Sequence, residues 1–206
     1  MAFYEDMQPN PIATPGACAV SSRRCETALL CGTIPPPRIV SIAGDRVTVT
    51  DGPLIDAEWD LVRAFVRRVT RHDLRLRFGH PRAFDDEPTL RRGFDVEDGC
   101  GEMTWVSDGC AAIAGVLHRI MVSRAEAEIA LLVRSDLKRL GIGEFLLRHA
   151  LARSACQGLV AVSGYVLREN LPMLRLAAKL GFMPQSDLSI PVPMIFLRRR
   201  CHVETA

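Results

Sequence analysis

The chain predicts a mixed α/β (α+β) fold, a single sheet with helices packed on it. Three observations carry this expectation: strand-like and helix-like segments alternate from residue 39 onward, an Asp108–Gly109 turn pair separates two apolar strands, and a strand at Glu126–Val133 runs through a basic glycine loop into an amphipathic helix. The 206 residues suit one domain at roughly 100–200 residues each. A chain of this length buries about 70% of its unfolded surface, so its core needs no metal or disulfide staple.

Six of the thirteen prolines fall within residues 1–37, where apolar periodicity is nearly absent. Proline fixes φ and removes a donor, so residues 1–38 read as an irregular arm and residues 39–206 as the folded domain. Within the domain Arg46–Thr50 alternates as a strand, closed by an Asp51–Gly52–Pro53 turn. Asp56 fits an N-cap for a helix whose apolar face is Leu61, Val62, Phe65, Val66 and Val69. His72–Phe78 and Glu87–Phe94 read as one broken helix interrupted by Gly79 and Pro81.

Gly101–Ser107, Cys110–Val122 and Glu126–Val133 follow as three strands. A helix then runs to about Ala155 with Ile142, Phe145, Leu146 and Ala150 on one face. Leu159–Leu167 is a strand, Asn170 caps a further helix ending at Lys179 and Gly181, and Ile195–Arg199 closes the sheet. The expected order is β-α-α-β-β-β-α-β-α-β, with helices on both faces.

Composition narrows the function classes. Hydrophobic residues are 48% and charged residues 24%, an ordinary globular mix. The 26 Lys and Arg against 24 Asp and Glu leave +2, which gives no electrostatic case for nucleic acid. The run Arg198–Arg200 reads as a solvated tail, and no apolar run approaches the 18 residues of a membrane span. Glu5 and Asp6 at the start, with no apolar h-region, argue against a secretory signal, so a cytoplasmic protein is expected. Seven cysteines, an odd number with no CxxC pair, read as free thiols, and no metal site is expected.

The informative stretch is Val133-Arg-Ser-Asp-Leu-Lys-Arg-Leu-Gly-Ile-Gly-Glu144. A helix N-terminus offers free N–H groups and the positive end of the helix dipole, glycines let the backbone approach a ligand, and Lys138 and Arg139 add full charges. Together these suit a pyrophosphate. A dinucleotide fingerprint would need glycine where Leu146 stands, and a P-loop would need a Lys-Ser/Thr end that is missing. The remaining pattern is (Q/R)xxGx(G/A).

Glu126–Pro184 resembles the acyl-CoA-binding core of GNAT acyltransferases, both in Lys138-Arg-Leu-Gly-Ile-Gly143 and in Asn170 followed by Leu180-Gly181-Phe182. Asp73-Leu-Arg-Leu-Arg-Phe78, Glu128-Ile-Ala-Leu-Leu-Val133 and Val166-Leu-Arg-Glu-Asn-Leu-Pro-Met173 further resemble the catalytic domain of bacterial Pat-type protein lysine acetyltransferases. The resemblance spans about residues 45–187. It implies a mainly antiparallel sheet splayed at the acyl-CoA-binding strand. It also implies acetyl-CoA as acyl donor, held by Leu131, Leu132, Val133, Lys138, Arg139, Leu140, Gly141, Ile142, Gly143, Glu144 and Asn170. Asn170 is equally well explained as a plain helix cap. Two positions depart from the family: Lys138 stands where Gln or Arg is preferred, and Ala177 where many members carry a tyrosine acid. Tyr165 is an unproven substitute, read here as a residue packing on the sheet.

An amine acceptor must be neutral to attack, and deprotonating a lysine at pH 7 costs roughly 4–5 kcal/mol. A positioned carboxylate lowers that barrier. Glu128, at the start of the strand leading to the acyl site, is the expected general base, with Glu126 on the same face as the alternative. Backbone N–H groups near Leu132–Val133 could hold the developing oxyanion. The resemblance to GNAT proteins puts the acceptor pocket at the first two helices and their loop, roughly residues 70–95, where Arg75, Arg77 and His80 lie; it makes Asp85 and Asp86 candidate substrate-binding residues that a Pat-like enzyme would use to attract the basic surroundings of a target lysine, although loop aspartates are commonly just solvated. His118 reads as a packed histidine.

The expected function is acetyl transfer from acetyl-CoA to an amine, preferably a lysine on a protein substrate. A small amine such as a polyamine or aminoglycoside, and a catalytically silent CoA-binding sensor, are the alternatives. Neither nucleic acid nor membrane is expected as a partner, and the oligomeric state is left open.

Overall fold

A computed structural model describes residues 38–42, 44–52, 58–80, 84–94, 101–107, 112–186 and 193–201. Among these residues eight strands form one sheet: β1 (Arg38–Ile42), β2 (Asp45–Gly52), β3 (Gly101–Ser107), β4 (Ile113–Met121), β5 (Glu126–Val133), β6 (Ala161–Leu167), β7 (Met183–Gln185) and β8 (Met194–Arg200). Their order is β1-β2-β3-β4-β5-β6-β8-β7, and every neighbouring pair is antiparallel except β5 with β6.

Side chains alternate across the sheet, so each strand feeds two cores. On one face, α1 (Trp59–Arg67), α2 (Arg71–Phe78) and α3 (Glu87–Phe94) bury Val62, Phe65, Phe78 and Phe94 against Met103, Trp105, Val116 and Leu132. On the other, α4 (Ile142–Cys156) and α5 (Leu171–Lys179) bury Ile142, Leu146, Leu147 and Ala177 against Ile129, Val162 and Val166. Gly115 lets α4 settle on β4, since a Cβ there would stand 2.9 Å from Ile142 Cγ2. The register puts Glu126, Glu128 and Ala130 on the face of α1–α3, together with their antiparallel partners Ile120 and His118.

Several expectations are corrected. Asp51–Gly52 does not turn but continues β2, paired with Thr104 and Met103. The Asp51 carboxylate survives burial because Thr104 Oγ1 donates to it at 2.5 Å and His149 Nε2 lies 2.8 Å away. The broken helix is two helices: Thr70 caps α2 by accepting from Asp73 N, and Gly79 ends it at φ 79°. Strands β1 and β7 went unread, one too close to the proline-rich arm and the other only three residues long. Asp56, the Asp108–Gly109 pair and residues 1–37 lie outside the described residues.

The α4 face also buries charge. Glu102 on β3 bonds both Arg119 on β4 and Arg153 on α4, and Arg119 Nη1 donates to Ser154 Oγ at 3.3 Å. Arg119 is only 4% exposed. Glu102→Ala strands a buried guanidinium and is expected to destabilise the protein by about 3–5 kcal/mol. Urea unfolding checks this: the midpoint should fall with the slope unchanged.

Candidate active site

Strands β5 and β6 pair over only three positions, Glu126, Ala127 and Glu128 against Ala161, Val162 and Ser163, and then part. Gly164 sits at the parting, where an added Cβ would stand 2.8 Å from Ile129 O. Beyond it β5 keeps its ladder with β4 through Val133, while β6 pairs with β8. The backbone of Ala130–Val133 therefore has no strand on its β6 side among the described residues. A cavity of about 650 Å³ occupies the gap. Such an edge can accept an extended ligand much as it would a strand.

The basic loop closes one end of this cleft. Gly141 caps α4 at φ 86°, and Arg139 adopts a left-handed φ of 69°. Phe145 N donates to Gly141 O, so the N–H groups of Ile142, Gly143 and Glu144 form an open first turn with no acceptor among the described residues. Arg134 bonds Asp136 at 2.9 and 3.0 Å, and Ser135 Oγ accepts from Thr70 N at 2.8 Å, which pins the loop to the α1–α2 junction. The Lys138 ammonium bonds the buried Asp73 carboxylate of α2, which Ser135 Oγ also donates to at 2.5 Å. Although burial opposes it, hydrogen bonding to Lys138 and Ser135 holds the Asp73 carboxyl below its ordinary range. Glu144 turns to Arg148 and, at 2.7 Å, to Lys179.

The two candidate bases are in different states. Glu126 is held by Arg198 through contacts of 2.9–3.1 Å. Glu128 Oε1 is buried with no hydrogen-bond partner among the described residues. Burial pushes the Glu128 carboxyl up to about 7, the nearby Arg77 guanidinium opposing the rise. Glu128 is not itself part of the cleft wall; Ala130, two residues on along the same face, is. Tyr165 lines the cleft and packs against Phe196 with ring centroids 5.0 Å apart. Ala177 is buried at the cleft's inner wall. His118 is a packed histidine, buried among Met103, Phe94 and Arg77.

Of the residues assigned to acyl-CoA from sequence, Leu131–Val133, Lys138, Arg139, Gly141–Glu144 and Asn170 line the cleft, whereas Leu140 is exposed outside it. Asn170 Oδ1 caps α5 by accepting from Met173 N at 3.3 Å. Asp85 and Asp86 are not brought to the cleft. Asp86 caps the start of α3 by accepting from Thr89 N at 2.7 Å, and Asp85 lines a separate concavity between α1 and α3. Sequence reasoning missed Asp73, Glu169 and Arg175, all lining the cleft. Arg75 on α2 bonds Glu169 after β6, so α2 is tied to both lips. No spacing rule reveals that, because the partners are 94 and 65 residues apart.

A parted sheet beside an open helix N-terminus is the arrangement that the resemblance to GNAT proteins implies. The model of the acetyltransferase (GNAT) family matches residues 66–182, more than half of the chain, and the protein belongs to that family. Among solved structures, the GNAT domain of S. lividans PAT is similar with a TM-score of 0.70 at 17% identity, covering 80% of this chain and 96% of that one. The spermidine N-acetyltransferase from Vibrio cholerae, in complex with CoA and spermine, matches with a TM-score of 0.59 at 17% identity, over 74% and 95% of the two chains. A cAMP-binding acyltransferase from Mycobacterium smegmatis matches at 0.53 and 20% identity, over 88% of this chain and 51% of that one. The protein is therefore a GNAT acetyltransferase. Among the described residues, no helix is long and apolar enough to cross a membrane, and no cluster of three His, Cys, Asp or Glu could hold a metal ion.

The raised Glu128 pKa has a stability consequence. Its carboxyl titrates near 7 when folded against an ordinary 4.5, so between those values the native state binds more protons than the unfolded one. Stability from this group falls as pH rises from about 4.5 through 7. Glu128→Gln lacks the penalty, and should gain about 3 kcal/mol over wild type at pH 8.5 while matching it near pH 4. Thermal melts at the two pH values check the sign.

Proposed function

We propose that this protein acetylates the ε-amine of lysine on a protein substrate, with Glu128 as general base. The observation that carries the reading is the buried, unbonded Glu128 carboxylate, with a pKa raised to about 7, at the point where β5 and β6 part. A base of that pKa takes a proton from an ammonium far better than an ordinary carboxylate, and about half of it is still ionised at neutral pH. Because Ala130 rather than Glu128 forms the cleft wall, the proton passes through one bridging water.

Acetyl-CoA, the second substrate, supplies the acetyl group as a thioester: the lysine nitrogen forms the new C–N bond as the C–S bond breaks and CoA leaves as thiolate. Backbone N–H groups of Ala130–Val133 are available to the pantetheine arm and the developing oxyanion. The first turn of α4, with Arg139 and Arg175, suits the phosphates. With Ala177 in place of a tyrosine, solvent returns the proton to the thiolate, whose pKa of roughly 8.5 makes that step undemanding.

The cleft's charges favour a single amine over a polyamine. Asp73, Glu144 and Glu169, the carboxylates lining it, are each ion-paired, with Lys138, with Arg148 and Lys179, and with Arg75. A polycation would need several open carboxylates. The likeness of fold to the S. lividans PAT domain and the Pat-like segments at Asp73–Phe78 and Glu128–Val133 point the same way.

Thiol-release turnover, measured with a lysine-rich protein and with spermidine, tests the reading. Turnover on the protein should exceed that on the polyamine. Glu128→Gln should cut kcat by 10²–10⁴, as an order of magnitude, with acetyl-CoA affinity unchanged. Faster turnover on spermidine, or full activity in the Gln variant, contradicts it.

A further inference from the structure

The buried polar groups around Glu128 include two with no part in that mechanism, Arg77 and His118. His118 lies on β4 opposite Ala130, on the sheet face that carries Glu128. Its ring is wedged edge-on against Phe94 at 5.8 Å, and Nε2 sits 3.0 Å from Met103 Sδ. A thioether accepts weakly and cannot donate, so the proton resides on Nε2 and Nδ1 keeps its lone pair. Arg77 Nη2 stands 3.3 Å from that Nδ1 and donates to it. The guanidinium is braced a second time by the Phe78 ring, 4.8 Å from its Cζ. A histidine this buried, with an arginine beside it, stays neutral, its pKa driven down to about 3.

The result is a cation on α2 that lines the acyl cleft, is bonded to a histidine two residues along β4 from Ile120, the strand partner of Glu128, and is close enough to act on Glu128 electrostatically. We infer that Arg77, oriented by neutral His118, is a positioning residue that makes the Glu128 carboxylate easier to ionise for acyl transfer. The inference rests on the reading of Glu128 as base. The other charged groups near Glu128 are engaged elsewhere. On α2, Asp73 bonds Lys138 and Arg75 bonds Glu169. On β5 and β8, Glu126 and Arg198 bond each other. On β4, Arg119 faces the opposite core and bonds Glu102. Burial alone would make Glu128 a neutral acid at pH 7, and Arg77 is the charge acting against that.

The test follows Glu128 directly, in full-length protein carrying ¹³C at the glutamate carboxyls, with Glu128→Gln identifying its resonance. In wild type the carboxyl should titrate near 7. In Arg77→Gln the midpoint should rise by roughly one unit. Arg77→Lys, which keeps the charge without the fork, should recover part of that shift. His118→Phe keeps an aromatic ring against Phe94 while removing the Nδ1 acceptor, and should shift the midpoint in the same direction by less. The acid limb of the rate profile should move with it, so that Arg77→Gln loses roughly tenfold at pH 6.5 and approaches wild type at pH 9. An unmoved carboxyl midpoint in Arg77→Gln overturns the inference whatever the rates do. A moved midpoint with an unmoved rate limb upholds the coupling but overturns Glu128 as the base, so the two failures are distinguishable.

Discussion

Everything at the site depends on β5 and β6 being bonded for three residues and then separating. A fully paired sheet has no spare backbone groups in its middle, and this one acquires them only where the parallel pair opens. Ile129 O and Gly164 are as close at the parting as a residue without Cβ allows, which fixes where the separation starts. Glu128 is the last β5 residue paired with β6, so it stands on the strand just before the opening, while the residues that follow offer their backbone to the cleft. One geometric event thus places the binding edge and the titratable group together.

Electrostatics then organises the opening around α2. Asp73 takes Lys138 from the glycine loop, Arg75 takes Glu169 from the α5 side, and Arg77 bonds His118 and acts electrostatically on Glu128. Asp73 and Arg77 lie one turn apart on one face of α2 and both line the cleft, whereas Arg75 lies off that face and reaches Glu169. The paired carboxylates leave the cleft without a free acidic row. The open N-terminus of α4 and the cations Arg139 and Arg175 leave its far end ready for anions.

Much of this was legible in the chain itself. The strand–loop–helix from Glu126 to Cys156 could be read because period-2 alternation, two glycines and a 3.6-residue apolar pattern meet without interruption. The same local signals misread Asp51–Gly52 as a turn, since a buried aspartate with Thr104 and His149 as partners behaves unlike a free one. They also kept Glu126 as an alternative base, because its Arg198 partner lies 72 residues away. Asp86 looked like a loop carboxylate open to a substrate but is consumed in capping α3. Ion pairs between distant elements leave no periodic trace in a sequence, and they decide which polar residues are available for chemistry.

We place acyl-CoA in the opening between β5 and β6. The most direct measurement is a titration of the ¹⁵N-labelled protein with CoA, following its backbone amide resonances. Saturable shifts should concentrate at Ala130–Val133 and at Ile142–Glu144, the free edge and the open first turn. Shifts confined to the concavity bounded by Arg63, Arg67 and Asp85, or no saturable shift at all, would contradict the account.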